Sequence, residues 1–419
     1  MNTKLSTAWT HRDLRVLVVG EGVSMFGSMV SRLALPWTAA RELDQGTLSV
    51  GLVFLAELLP AALVGLFAGT LVDRWSRRRV LILSNLALAA VTAVVPLLAV
   101  VDRLTINAIY AVGLASGCIV PFFRAAFRST VPITVPLESF AAAQSIVEGV
   151  SAVAELTAFA AAGWLVHVFG GPAGLAIDAG SFVWAASIAG FLRRTPPALH
   201  KRDRTNVVAE LGDGARYVRS HPVLRPIALS ELIAGIGTGI VGSVVIVHVT
   251  KTLGYDTGPQ GIVYAVGGVG SLVAAAFAGR VLARYGLHHS IVVALIAVVP
   301  AISLMAFAPG PSVLGYSMLV GQQLFADPVG TVSEIAFGTV IAAGSPGVMR
   351  ARVESTIMVL ATAGMACGFV VGGVLGQSPV GTRFTLLLGA LVTASAASCL
   401  SGHAVRGVHS ALDVGSFQS

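Results

Sequence analysis

Long apolar runs alternate along the chain with short polar ones, and the apolar runs are of similar length. Twelve of them, at residues 14–40, 48–72, 80–101, 105–130, 140–168, 172–192, 225–249, 258–282, 287–308, 312–343, 353–376 and 382–402, carry few charges. A hydrocarbon core about 30 Å thick takes about 20 helical residues. Backbone amides in lipid must find their partners within the segment, so each run predicts a spanning α-helix. Glycine is frequent within them (47 of 419 residues), as helices that approach closely in a bilayer require. The tenth run is long enough to end irregularly around Gly344-Ser345-Pro346.

Composition points the same way. Hydrophobic residues make up 55% of the chain and charged ones 11%, with a mean hydropathy of +0.84; soluble domains carry about a quarter charged residues. The fold class is therefore an all-α polytopic membrane protein with twelve transmembrane helices. Cys118, Cys367 and Cys399 lie in apolar runs without metal-ligand spacing and read as small buried hydrophobes. The polar N-terminal stretch leads straight into a full-length run, with no cleavable signal evident.

The loops sort the basic residues. Gly69-Thr-Leu-Val-Asp73-Arg74-Trp-Ser-Arg77-Arg78-Arg79 is a cationic turn between the second and third runs and cannot sit in lipid. With the N-terminus in the cytoplasm, nearly all of the 27 Lys and Arg fall in inside loops. Only Arg41, Arg103, Lys251 and Arg383 fall outside, and Arg32 lies within a run. That asymmetry follows the positive-inside rule and puts both termini in the cytoplasm of a cell (inner or plasma) membrane protein. The net charge of +7 sits in loops, not on an aromatic-interleaved face, so no nucleic-acid partner is implied.

The longest hydrophilic stretch divides the runs six and six. The expected domains are 1–192, a six-helix bundle; 193–224, a cytoplasmic loop; 225–402, a second bundle; and 403–419, a cytoplasmic tail. In the loop Val207, Val208, Leu211, Ala215 and Val218 recur at helical spacing, which predicts a short amphipathic helix on the membrane surface. A shift of 210 positions superposes the halves. Glu21 and Gly27 fall on Glu231 and Gly237, Gly69 on Gly279, Arg74 on Arg284, the Arg78/Arg79 pair on His288/His289, and Gly163 on Gly373. Two six-helix repeats related by a pseudo-twofold are the pattern of a secondary transporter.

With these residues in hand, the chain resembles the major facilitator superfamily over essentially its whole length. Arg124-Ala-Ala-Phe-Arg128, Glu210-Leu-Gly-Asp-Gly-Ala-Arg-Tyr217 with His221-Pro222, and Met349-Arg-Ala-Arg352-Val353 are similar to the branch of macrolide-efflux and enterobactin-exporter-like proteins. The resemblance implies that Gly69, Asp73, Arg74, Arg77 and Arg78 form a conformational latch. Asp73 would sit near the start of the eleventh helix, with Glu354 as a partner for the arginines. The second copy has Ala283 where the aspartate would stand, so its latch is expected to be weak. Exporters of the superfamily often carry Gly-Pro in the fifth helix; here the place reads Ala158-Phe159.

Charges within a bilayer are costly and usually serve function. Glu21, Glu57, Glu148, Glu155, Asp178, Glu231, Asp327 and Glu334 fall within the runs, with Arg32 the one base in mid-run. Glu148 and Glu155, Asp327 and Glu334, and Glu21 and Arg32 are each spaced to share a helix face. Glu21, Glu231, Glu155 and Asp327 are expected to line one polar cavity at the repeat interface, with Glu155 and Asp327 first in line for proton coupling. No P-loop, zinc or nucleophile motif occurs, so no enzyme, cofactor or metal is implied. The expected function is proton-coupled export of a drug, antibiotic or other amphipathic natural product by a monomer in the lipid bilayer. The partners are then a small-molecule substrate and protons. A siderophore exporter, an uptake symporter and a non-transporting scaffold are the alternatives.

Overall fold

The computed structural model describes residues 9–193, 207–347, 349–407, 410, 413 and 414. Twelve helices are long and apolar enough to cross a membrane. In chain order these are α1 (Arg12–Trp37), α2 (Thr47–Val72), α3 (Arg77–Val100), α4 (Ile106–Thr134), α5 (Phe140–Phe169) and α6 (Gly171–Ala189), followed by α8 (Leu224–Val247), α9 (Thr257–Tyr285), α10 (Leu287–Ala306), α11 (Val313–Ala343), α12 (Arg350–Gln377) and α13 (Gly381–Ser395). Between the two sets lies α7 (Val207–Ser220). Prolines inside the spans, such as Pro60, Pro121 and Pro328, each remove one ladder bond and bend the helix. Hydroxyls within the spans are turned back onto their own helices: Ser84 donates to the carbonyl of Val80 (2.6 Å) and Thr130 to that of Ala126 (2.6 Å).

The chain forms two compact units. One comprises Met1–Gln45, Ala56–Arg202 and Asp256–Ala265; the other Gly46–Leu55, Asp203–Tyr255 and Val266–Ser419. The sequence boundaries keep each run whole, whereas packing splits two of them. The start of α2 belongs with the second unit: Thr47 Oγ1 donates to the carbonyl of Gly373 (2.8 Å), and Phe54 stacks on Phe369 (5.3 Å). In the same way the start of α9 belongs with the first unit. There a β-carbon on Gly163 would stand 2.6 Å from the Thr257 carbonyl, so only glycine permits the approach.

The 210-residue repeat recurs in the backbone. α1 ends in a π-helical turn over Thr38–Glu42, and α8 ends in one over His248–Thr252. The Leu43 amide bonds the Thr38 carbonyl as the Leu253 amide bonds that of His248, and Asp44 and Gly254 both take positive φ. The cores correspond too: Leu17, Leu81 and Ala126 in one, Ile227, Ile291 and Ala336 in the other. Gly163 and Gly373, one repeat apart, serve the same exchange of segments, Gly373 lying against Leu48.

The cysteines correct their expected placement. Cys118 and Cys367 are exposed and Cys399 is partly so. In a bilayer protein the outer face is itself in an apolar solvent, so an apolar position need not be an interior one; Leu83 (65% exposed) and Leu97 (66%) show the same.

A polar cavity in the first unit and its equivalents

A cavity of about 730 Å³ lies among the helices of the first unit. Its acids are Glu21 on α1, Glu57 on α2, Glu148 on α5 and Asp178 on α6, and its bases are Arg32, Arg124 and Arg128. Asp178 is buried (2% exposed) and accepts from Ser181 Oγ (3.2 Å). The same hydroxyl and carboxylate occupy the space beside Gly27, where a β-carbon would lie 2.2 Å from Ser181 Oγ. Gly27 therefore brings α1 onto α6 at the acid. Arg32 and Arg124 line the same cavity as Glu57. A β-carbon on Gly117 would lie 2.4 Å from the Glu57 carbonyl, so Gly117 seats α4 directly on the backbone that carries this acid. Glu148 accepts from Gln144 Nε2 (2.8 Å), one turn earlier on α5.

Of the acids expected to share one cavity, Glu21 lines the first unit's cavity, with Arg32, Glu148 and Asp178 beside it. Glu155 lies outside that lining and is exposed, although it sits two turns along α5 from Glu148. Glu231, Asp327 and Glu334 belong to the second unit. There Glu334 is the charge that acts on Glu231, and Gln323 Nε2 donates to Asp327 (3.1 Å). A β-carbon on Gly267 of α9 would lie 2.1 Å from the Asp327 carboxylate, so this acid is held against bare backbone.

The cationic turn is engaged mostly within its own unit. Arg77 Nε donates to Ser129 Oγ (3.2 Å), and Arg78 donates to the carbonyl of Gly190 just beyond α6. In the second unit His288 Nε2 meets the carbonyl of Leu400 (3.1 Å), one repeat on from the Arg78–Gly190 pair. Glu354, on the first turns of α12, is exposed, and Asp73 is half-buried. Ion pairs among the described residues involve Arg41, Arg216 and Arg352, and none of Arg74, Arg77 or Arg78.

Two of the sequence motifs prove to be one clip. Arg352 pairs with Glu210 (3.3 Å) and Asp213 (3.2 Å) of α7, and a β-carbon on Gly214 would meet the Arg352 carbonyl at 2.5 Å. Tyr217 donates to the Gly344 carbonyl (3.1 Å), and Val218 packs with Leu224, Ala228, Val353 and Ile357. The apolar stripe of α7 thus lies against α12 and α8. His221 Nδ1 accepts the amides of Val223 (3.2 Å) and Leu224 (3.3 Å) at the start of α8. Burial holds its pKa below the usual range, which keeps the ring neutral for that role. Only the spacing of Glu210, Asp213 and Gly214 on one helix face signalled this contact; the position of Arg352 came from the fold.

Two sets of membrane-length helices, with core and turn positions one repeat apart and charged groups among them, define a polytopic membrane transport protein built from repeats. Residues 17–345 match the Major Facilitator Superfamily, and the chain belongs to that family of transporters, which work without enzymatic chemistry. It is 27% identical over 367 residues to the multidrug efflux pump Tap of Mycolicibacterium fortuitum, covering 84% of this chain and 86% of that protein. To the MFS-type transporter YfiS of Bacillus subtilis (strain 168) it is 22% identical over 373 residues, 87% of each. Among solved structures it shares its fold with the nucleoside transporter NupG (TM-score 0.72, 16% identity, 92% of this chain and 98% of that one). The same holds for a bacterial homologue of the lysosomal transporter Spinster (TM-score 0.68, 13% identity, 100% and 98%).

Proposed function

We propose that this transporter exports an amphipathic compound, a drug, antibiotic or other natural product, in exchange for protons. The observation that carries the proposal is the cavity of the first unit, where four acids and three arginines meet within a chamber large enough for a small molecule. Such a charge set has no structural necessity in an apolar bundle and is costly to keep. Glu57 is the switch in this reading. While Arg32 and Arg124 stand near it they favour its carboxylate form; when substrate or a conformational change draws the arginines away, it takes a proton and the cavity's charge rises by one. Release on the other side of the membrane returns it to the arginines. Glu21 on α1 and Asp178 on α6 provide the polar wall for a cationic or hydroxylated solute.

The direction of transport rests on the resemblance to Tap, a multidrug efflux pump. Fold alone carries no direction, since a D-xylose-proton symporter shares it as well (TM-score 0.64, 11% identity). Asp73 and Arg74 remain the centre of the latch in this proposal, with Arg78 set aside for a structural task.

A screen tests export. Cells lacking the gene and cells overproducing the protein are compared on a panel of toxins and on metabolites of the culture medium. The expected result is raised tolerance to at least one amphipathic compound, with less of it inside overproducing cells. A siderophore in the medium as the responding solute would move the substrate within the same reading. Accumulation of the responding solute inside overproducing cells would overturn export.

A further inference from the structure

A second concavity, on the second unit, has no part in that reading. It holds about 650 Å³ between α9, α10 and α11. Val269, Val273, Phe277, Val281 and Tyr285 of α9 form its length, with Pro328 of α11 at its floor. Gly270, Val273, Ala274, Phe277 and Val281, three and four residues apart, keep to one helix face. Sixteen rises of 1.5 Å, from Val269 to Tyr285, give a trough about 24 Å long, longer than the roughly 15 Å of one leaflet's acyl layer. Val273 (53%), Phe277 (50%) and Tyr285 (51%) are half exposed. The floor is closely built: a β-carbon on Gly270 would stand 2.9 Å from the Pro328 ring.

Charge gathers at one end of this trough. Arg280 lies over the Phe277 ring (5.3 Å) and Arg284 over Tyr285 (5.6 Å), while His289 stacks on Tyr285 (6.3 Å). No carboxylate lies among the lining residues. The arrangement is an apolar slot with a cationic, aromatic-backed mouth, and its chemistry matches an acyl chain joined to a phosphate. We propose that the groove is a binding site for one anionic phospholipid, drawn from the leaflet beside the turn between α9 and α10. The acyl chain lies along the α9 stripe and the phosphodiester meets Arg280 and Arg284. A zwitterionic headgroup carries its own cation and gains less from the two arginines. A phosphate without an acyl chain leaves the slot unfilled.

The test uses the full chain purified in detergent, with phosphatidylglycerol, phosphatidylcholine or inorganic phosphate added. Lipid retention is read by native mass spectrometry and stability by thermal unfolding. Phosphatidylglycerol should remain bound and raise the melting temperature, while the other two leave it unchanged. Each arginine removed, in Arg280→Ala and in Arg284→Ala, should lower retention about fivefold. Val273→Trp, which fills the slot and keeps the charges, should lower it too. Arg284→Gln on its exposed side chain keeps the test available if either alanine variant fails to fold. Equal retention of the two lipids, protection by inorganic phosphate matching that of phosphatidylglycerol, or undiminished retention in both the arginine and the Val273→Trp variants would overturn the proposal.

Discussion

The same helix crossing is built twice in this molecule with its two residues exchanged. In the first unit Glu57 on α2 meets Gly117 on α4; one repeat later Gly267 on α9 meets Asp327 on α11. Each crossing keeps one acid and one glycine, so the acid is retained while its helix changes. Around it the charges part company. Arg124 corresponds to Glu334, Arg32 to Gly242 and Asp178 to Leu388. The first unit therefore surrounds its acid with arginines, and the second sets its acids beside one another. Of the charged residues in the first unit's cavity, Glu21 alone keeps both place and charge, as Glu231. What the halves share is tied to packing, and what they do not share is where a directional transporter stores its asymmetry.

The cationic turns obey the same division. Arg78 and His288 both reach a main-chain carbonyl at the end of the last helix of their unit, so this position is a clamp that either side chain fills. Asp73 has no acidic counterpart, because Ala283 stands there. The sharpest way to break the comparison is therefore to move the aspartate. Asp73→Asn should lower transport about tenfold at unchanged abundance, about 1.4 kcal/mol of lost stabilisation of the transport step. Ala283→Asp should leave transport within twofold. Equal losses from both would dissolve the asymmetry. A smaller effect is expected at the clamp: Arg78→Ala should cost about 1–2 kcal/mol, the loss of a charge-assisted bond to a carbonyl, read as a fall in melting temperature. Arg78→His, copying the second half, should recover most of it while transport holds.

Much of this was legible from the residues alone. The lipid solvent imposes length and apolarity on every span, so twelve helices and a repeat could be read directly. The π-helical turns at Thr38–Glu42 and His248–Thr252, which only the structure shows, fall in that same 210-residue register. The cavity was only partly legible. Spacing put Glu148 and Glu155 on one face, yet only Glu148 reaches the chamber. Glu57 stood among many acids, and its weight comes from Arg32 and Arg124 on other helices. Periodicity reports which face a residue occupies and is silent on which helix faces it. The exchange of the starts of α2 and α9 between units was hidden for a related reason: a run that is apolar all round gives no sign of which neighbour it packs against.

The central claim is that the arginine-ringed acid of the first unit, and not the acids of the second, couples solute to protons. The measurement is proton movement in proteoliposomes carrying an internal pH dye, driven by the solute that the screen identifies, with Glu57→Gln and Asp327→Asn compared at equal incorporation. The account requires Glu57→Gln to abolish solute-driven proton flux while Asp327→Asn retains most of it. Wild-type flux in Glu57→Gln, with loss in Asp327→Asn, would contradict it.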